Sequence, residues 1–454
     1  MLRALVFLLL SLLSLPASAA TYYLDGKNGD DARDGRAKAT AWKSFDKVNA
    51  ALQAGDTCLL RGGRYETAWI SPANSGKPGA PITYAAAKGE TPELTGGRYG
   101  CIVFLDGKSY ITVRGLRIFS PAEHDWVVRI SGKDAHHNRL EQCDVSDPDG
   151  YAPVVIASGA HDNVVTDCTL HDTGHGSEGS GDCIVVNEGA HHNTITRNRC
   201  YNGCHSQIMA LNGSHHNVIT DNELYATRRD WAGAGVNVPR GTDASVIEGN
   251  RIHDLGYITD QKCAIQVDSA HNSIRNNVIY NVGAFGIALQ SYRYGGQKQE
   301  AVGNVVANNT LYHCGRQPLS VVSKGDCVSR DNRVERNIVV SNAQQWYGVD
   351  AWALVFDTYH LEKPVQPGEW LGNVFADNVF FHATAGEPNM VLYNHRGPAV
   401  TWSVPAVEAA YPKTFHGNLE ADPQFVNPAK GDFRLAPGSP AQARRAGATF
   451  VEAH

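Results

Sequence analysis

One spacing limits this chain more than any other feature. A His, Asp or Gly beside Asn opens a short apolar segment, and a second Asn or Cys follows five residues later. It reads His137-Asn138 to Cys143, Asp162-Asn163 to Cys168, His192-Asn193 to Asn198 and His216-Asn217 to Asn222. Ser245 to Asn250, His271-Asn272 to Asn277, Gly303-Asn304 to Asn309, Asp331-Asn332 to Asn337 and Gly372-Asn373 to Asn378 continue it. The instances recur every 24 to 32 residues, with one final step of 41. Self-similarity at this period predicts a solenoid. The segments between the Asn residues, such as Val164-Val165-Thr166 and Val218-Ile219-Thr220, are short, β-branched and bounded by turn formers. None carries the ten or more residues at helical spacing that a helical repeat needs. The prediction is an all-β parallel β-helix with coils stacked ~4.8 Å apart. An Asn at one corner of every coil would bond backbone groups and its own neighbours above and below. Left unbonded, each buried polar group would cost roughly 1–3 kcal/mol.

Composition agrees. Thirty Asn and 45 Gly in 454 residues favour tight turns over long helices. The net charge is −6 and no basic tract occurs, so nucleic acid is not an expected partner; no apolar run after the first 20 residues approaches the ~18 residues of a membrane span, so no membrane partner is expected either. Residues 1–20 read as a secretory signal peptide: Arg3, an apolar run Leu5–Leu15, then Ala17-Ser18-Ala19. The remainder, 21–454, is expected to be one secreted or periplasmic solenoid domain acting as a monomer. Trp42, Phe45, Val48 and Leu52 share a helical face, predicting an amphipathic capping helix over 41–53. Asp422-Pro423-Gln424-Phe425 and Asp432-Phe433-Arg434-Leu435 predict a closing strand pair. The ten Cys are expected to be mostly buried small hydrophobes, with Cys200 and Cys204 the one pair to check for a disulfide.

Several segments carry a family likeness. Tyr22-Tyr23-Leu24-Asp25-Gly26, Ala41-Trp42-Lys43-Ser44, Gly55-Asp56-Thr57, Arg61-Gly62-Gly63-Arg64-Tyr65, Gly79-Ala80-Pro81-Ile82-Thr83 and the Asp-Pro…Phe closing segment resemble secreted right-handed parallel β-helix proteins of the pectate-lyase-like superfamily. The resemblance implies a right-handed coil. It also implies a carbohydrate-related role; the superfamily contains lyases, hydrolases, epimerases and binding proteins, and fold alone does not choose among them.

Chemistry on a β-helix must come from outward columns and loop insertions. Aligning coils on Val154, Ile184, Ile208, Val236, Ile265 and Ile287 puts His205 and Lys262 in one column two coils apart, with Asp182 beside them. Insertions at 173–180, 227–232, 255–261 and 291–301 cluster on this side, as on a solenoid's binding face. They carry Glu178, Arg228, Arg229, Trp231, Tyr257, Asp260, Tyr292 and Arg293; strand positions add Asn237, Gln266, Asp268 and Gln290. Clustered cations on an acidic chain suggest an anionic polysaccharide, with the aromatics stacking on sugar rings. In a lyase, Lys262 or His205 would be the base, Arg228 or Arg229 the carboxylate partner and Tyr257 the acid. Ca2+ would be held by Glu178, Asp182 or Asp260. The acidic loop 25–34 is a second place for such an ion, although turn geometry explains it too. The Lys–Arg pair of the alginate- and dermatan-cleaving lyases falls near Asp268 and Gln290, so that pair is absent. Gly181-Asp182-Cys183-Ile184 with Gly203-Cys204-His205 is similar to the polygalacturonase pattern, but Gly181 and Ala152 stand where further Asp residues belong. Lyase is therefore the leading expectation, ahead of hydrolase and of binding alone. The His residues before Asn (His137, His192, His216, His271) are expected to be structural.

Overall fold

The computed structural model describes residues 19–96, 101–119, 126–147, 150–174, 181–227, 233–239, 241–255, 263–283, 285–315, 317–341, 352–362, 369–383, 389–393 and 399–449. The expected signal peptide lies almost wholly outside them. Within them the chain is a right-handed parallel β-helix of three sheets with 14, 13 and 13 strands. One coil shows the plan: Val164–Thr166 in the first sheet, Thr169–Thr173 in the second, Asp182–Val186 in the third, then Thr194–Thr196 back in the first. Two residues turn the corner between the first and second sheets. The insertions at 173–180, 227–232 and 255–261 enter between the second and third sheets, whereas 291–301 follows a third-sheet strand and leads back to the first, so it does not cluster with the other three.

The corners explain the repeat. Asp162, His192 and His216 sit at φ +54 to +55, and Asp167, Arg197 and Asp221 at +54 to +55. Gly, Asn, Asp and His tolerate this left-handed backbone best, which is why those types precede most ladder positions, with Arg197, Ala244 and Arg336 among the exceptions. Both repeated Asn positions form ladders. Asn198 donates its backbone N–H to Asn222 Oδ1 (2.9 Å) and its Nδ2 to Val165 O (2.9 Å) and Asn222 Oδ1 (3.0 Å), while its Oδ1 accepts from Cys168 N–H (3.0 Å). The same pattern continues through Asn222, Asn250, Asn277, Asn309 and Asn337 to Asn418. There Glu408 accepts from the last amide. Cys143 and Cys168 begin this column as expected. In the other ladder Ser245 replaces Asn, and its Oγ is buried with no partner.

Three expectations at the periphery are adjusted. The N-terminal helix spans only Phe45–Ala51. Asp31 bonds the backbone of Lys43 and Ser44, holding that segment out of the helix until Ser44 caps Lys47 N–H. Trp42 instead forms a bridge with Leu24, and Phe45, Val48 and Leu52 join the core. The closing pair, Phe425–Asn427 with Asp432–Leu435, does not cover the end of the solenoid. It lies against the second sheet, with buried Phe433 on Tyr280 and Tyr312 (5.1 and 5.2 Å). All ten Cys are free thiols, nine of them buried, so Cys200 and Cys204 are not joined. The Asp side chains of the 25–34 loop accept from nearby backbone N–H groups, which accounts for its composition. No helix among the described residues is long and apolar enough to cross a membrane.

Candidate functional site

The third sheet carries the candidate site. Val154, Ile184, Ile208, Val236, Ile265 and Ile287 pair strand to strand in one inward column and are wholly buried. Alternation then turns the following residues outward. The outward column is apolar at Val155, Val185 and Met209 and turns polar at Asn237 and Gln266. Its apolar part forms an outer cluster with Ala152 and Leu211.

At one edge of this face the structure brings Asp182 and His205 together. His205 Nδ1 lies 2.9 Å from Asp182 Oδ1; the carboxylate side chain is 2% exposed and the imidazole 29%. A carboxylate only accepts, so it fixes Nδ1 as the protonated nitrogen and Nε2 as the basic one. The backbone reinforces the pairing, because His205 N–H donates to Gly181 O (3.1 Å).

A second polar group lies farther along. Asp268 is completely buried. Its Oδ2 accepts from Gln266 Nε2 (2.6 Å) and Tyr292 Oη (2.9 Å), while its Oδ1 has no hydrogen-bond partner. Burial pushes this carboxyl up to about 7; the bonds from Gln266 and Tyr292 and the charge of Lys324 oppose the shift without cancelling it. Asn237 Oδ1 and Ser320 Oγ on the same face are also buried and unpartnered. Gln290 reaches the Cys263 thiol (3.9 Å). From the strand position beside His205, Asp268 is five residues along and two strands across, roughly 16 Å by 10 Å at ~3.3 Å per residue and ~4.8 Å per strand. The two groups are separate foci on one wall.

Arg293 is engaged elsewhere. On the hairpin of Phe285–Tyr294 with Gln297–Gln299, it grips Asp326 through two bonds (2.7 and 2.6 Å), and Lys298 joins them. The two cations hold the Asp326 carboxyl far below the usual range. Glu178, Arg228, Arg229, Trp231, Tyr257, Asp260 and Lys262 lie outside the described residues. Of the expected Ca2+ ligands only Asp182 is described, and its Oδ1 already accepts from His205. Among the described residues no three His, Cys, Asp or Glu converge on one point. Sequence reasoning missed Lys324, two residues beyond Val322 on the strand Gln317–Gly325. Continuing the outward alternation past Ser320 would have reached it.

A family model for the right handed beta helix region matches residues 101–254 and 229–353, together more than half of the chain. No curated protein matches. Among solved structures, the lacto-N-biosidase of family GH136 from Eubacterium ramulus is similar, at 16% identity and TM-score 0.55, covering 75% of this chain and 68% of that one. So is the PL6 family alginate lyase AlyGC, at 16% identity and TM-score 0.53, covering 90% of this chain and 56% of that one. A mannuronic acid specific family 6 polysaccharide lyase from human gut microbiota matches at 15% identity and TM-score 0.52, covering 85% and 90%. At these identities the likeness is one of fold. The chain belongs to the right-handed β-helix family.

Proposed function

We propose that this chain is a secreted enzyme that cleaves an acidic, uronate-containing polysaccharide by β-elimination on the outer face of the third sheet. The observation that carries the reading is the His205 imidazole, oriented by the buried Asp182 carboxylate at the edge of the third sheet's outer face. β-Elimination needs a base at the carbon next to the uronate carboxylate, a partner for the developing charge and an acid for the leaving oxygen. His205 Nε2 takes the carbon-bound proton, the C–O bond breaks as the C=C bond forms, and the leaving oxygen receives a proton from Tyr257. Arg228 or Arg229 faces the carboxylate, Trp231 stacks on a sugar ring, and Lys262 is the alternative base. Asn237, Gln266, Asp268, Gln290 and Tyr292 supply the hydrogen bonds that hold the polymer beyond the point of cleavage. The alginate and mannuronic acid lyases that share the fold support an acidic polymer as substrate.

Asp268 favours a second reading. A buried carboxylic acid that keeps its proton near neutrality, with one oxygen unpartnered, has the character of a glycosidase's general acid. Hydrolysis needs a second carboxylate within about 5–9.5 Å. Asp357, in register with Val322 and Gln290, is three strands from Asp268, ~14 Å at ~4.8 Å per strand. That spacing does not suit the scheme.

Incubating the purified protein with a panel of uronate polymers separates the readings. Ultraviolet absorbance from an unsaturated product supports elimination. New reducing ends without that absorbance support hydrolysis and overturn the proposal.

A further inference from the structure

The corner that follows the third-sheet strands, across the sheet from Asp182 and His205, carries a strip of imidazoles. Four successive coils each present two neighbouring side chains there. The first of each pair, His136, His161, His191 and His215, is bridged to the next through the backbone. Their rings stack 4.9–5.1 Å apart and 2–18° from parallel. The second of each pair is His137, Asp162, His192 or His216, held at φ +54 to +55. Within a pair the two imidazoles stand at 84–87°. Their Nδ1 atoms meet at 2.9, 2.8 and 2.9 Å, and His161 Nδ1 lies 2.7 Å from Asp162 Oδ2.

This spacing has a chemical meaning beyond the shared proton. Two ligands at right angles about a metal, with bonds of about 2.0–2.1 Å, are about 2.9 Å apart. The backbone therefore brings two donor atoms, row after row, to the separation a metal ion imposes. Imidazole suits Cu2+, Ni2+ and Zn2+. The carboxylates that act on the strip are Asp134, Asp162 and Asp243, a sign that favours a cation. No third protein ligand joins a pair among the described residues, so a bound ion keeps water at its other positions.

We propose that this corner is a surface strip for divalent late transition-metal ions, each held by the two side chains of one row. Dications in adjacent rows, ~5 Å apart, repel, so alternate rows fill and the strip takes about two ions. The proposal is independent of the polysaccharide chemistry.

The test is calorimetric titration of the full, untagged protein with Ni2+ at neutral pH in a non-chelating buffer. The comparison is a variant with His191, His192, His215 and His216 all changed to Asn, a residue that keeps the left-handed backbone. Saturable binding of about two ions is expected in the native chain and of about one in the variant, with an unchanged melting temperature. Should that variant fail to fold, changing His192 and His216 to Asp is expected to keep about two ions, copying the His161–Asp162 row, while changing the same two to Asn leaves about one. Absence of saturable Ni2+ binding, or equal stoichiometry in native and substituted proteins, would overturn the strip.

Discussion

Asn250 and Asn237 carry the same amide thirteen positions apart in the sequence, yet the solenoid treats them differently. Asn250 gives its backbone N–H and Nδ2 to Asn277 and its Nδ2 again to Ile219 O, and receives both bonds of Asn222. Asn237, on the outer face of the third sheet, keeps a buried Oδ1 with no partner. Asp268 Oδ1 and Ser320 Oγ share that condition. A buried polar atom without a partner costs about 1–3 kcal/mol, and several on one face beside loop insertions need an explanation. The Asn side chains of the ladders complete their bonds within the protein and hold the coils together. On the proposed reading, those on the third sheet take part in binding the polymer.

This contrast sets the expected results, beginning with the largest. His205→Ala or Asp182→Asn should lower kcat on a uronate polymer by about 10²–10⁴-fold, with little change in melting temperature; unaltered kcat in both would break the comparison at its functional end. Asp268→Asn should change how stability depends on pH. The folded protein keeps the Asp268 proton up to about pH 7, whereas the unfolded chain releases it near the ordinary value of about 3.9. The stabilising proton is thus fully present below about pH 4 and lost as pH rises toward 7. Denaturant titrations should show Asp268→Asn relieving up to about 4 kcal/mol of that loss above pH 7; identical profiles would show that the carboxyl is not held protonated. Asn250→Ala should destabilise by about 3 kcal/mol, since it removes the ladder bonds and strands the amides of Asn222 and Asn277. Its activity well below the melting point should be unchanged. The smallest effect is a gain: Ser245→Asn completes the interrupted ladder and should add about 1 kcal/mol, read as a higher melting temperature.

Much of this fold was legible because a ladder demands the same side chain at every rung, and its spacing survives loops of any length. Asp182 and His205 were legible for the same reason: once the coils are aligned, neighbours in adjacent columns are neighbours in space. What alignment cannot supply is burial and pairing across longer distances. Asp268 read as one more outward polar residue, because its enclosure depends on Gln266 and on Tyr292 from the following coil. Arg293 read as a free cation, yet Asp326, 33 residues later and just beyond the next third-sheet strand, claims it. The closing strands carry a plain β pattern, but only their aromatic contacts with Tyr280 and Tyr312 place them beside the second sheet. The stacked His136, His161, His191 and His215 escaped notice because the second His of each pair drew attention to the turn.

If the outer face of the third sheet is where the polymer binds, a crystal structure of the His205→Ala protein soaked with a uronate oligosaccharide will show the sugar there. The sugar is expected along the third sheet's outer face, with a hydroxyl or carboxylate within hydrogen-bonding distance of Asp268 and Asn237 and one ring beside Asp182. An ordered oligosaccharide on either of the other two sheets, with those atoms still unpartnered, would contradict that placement.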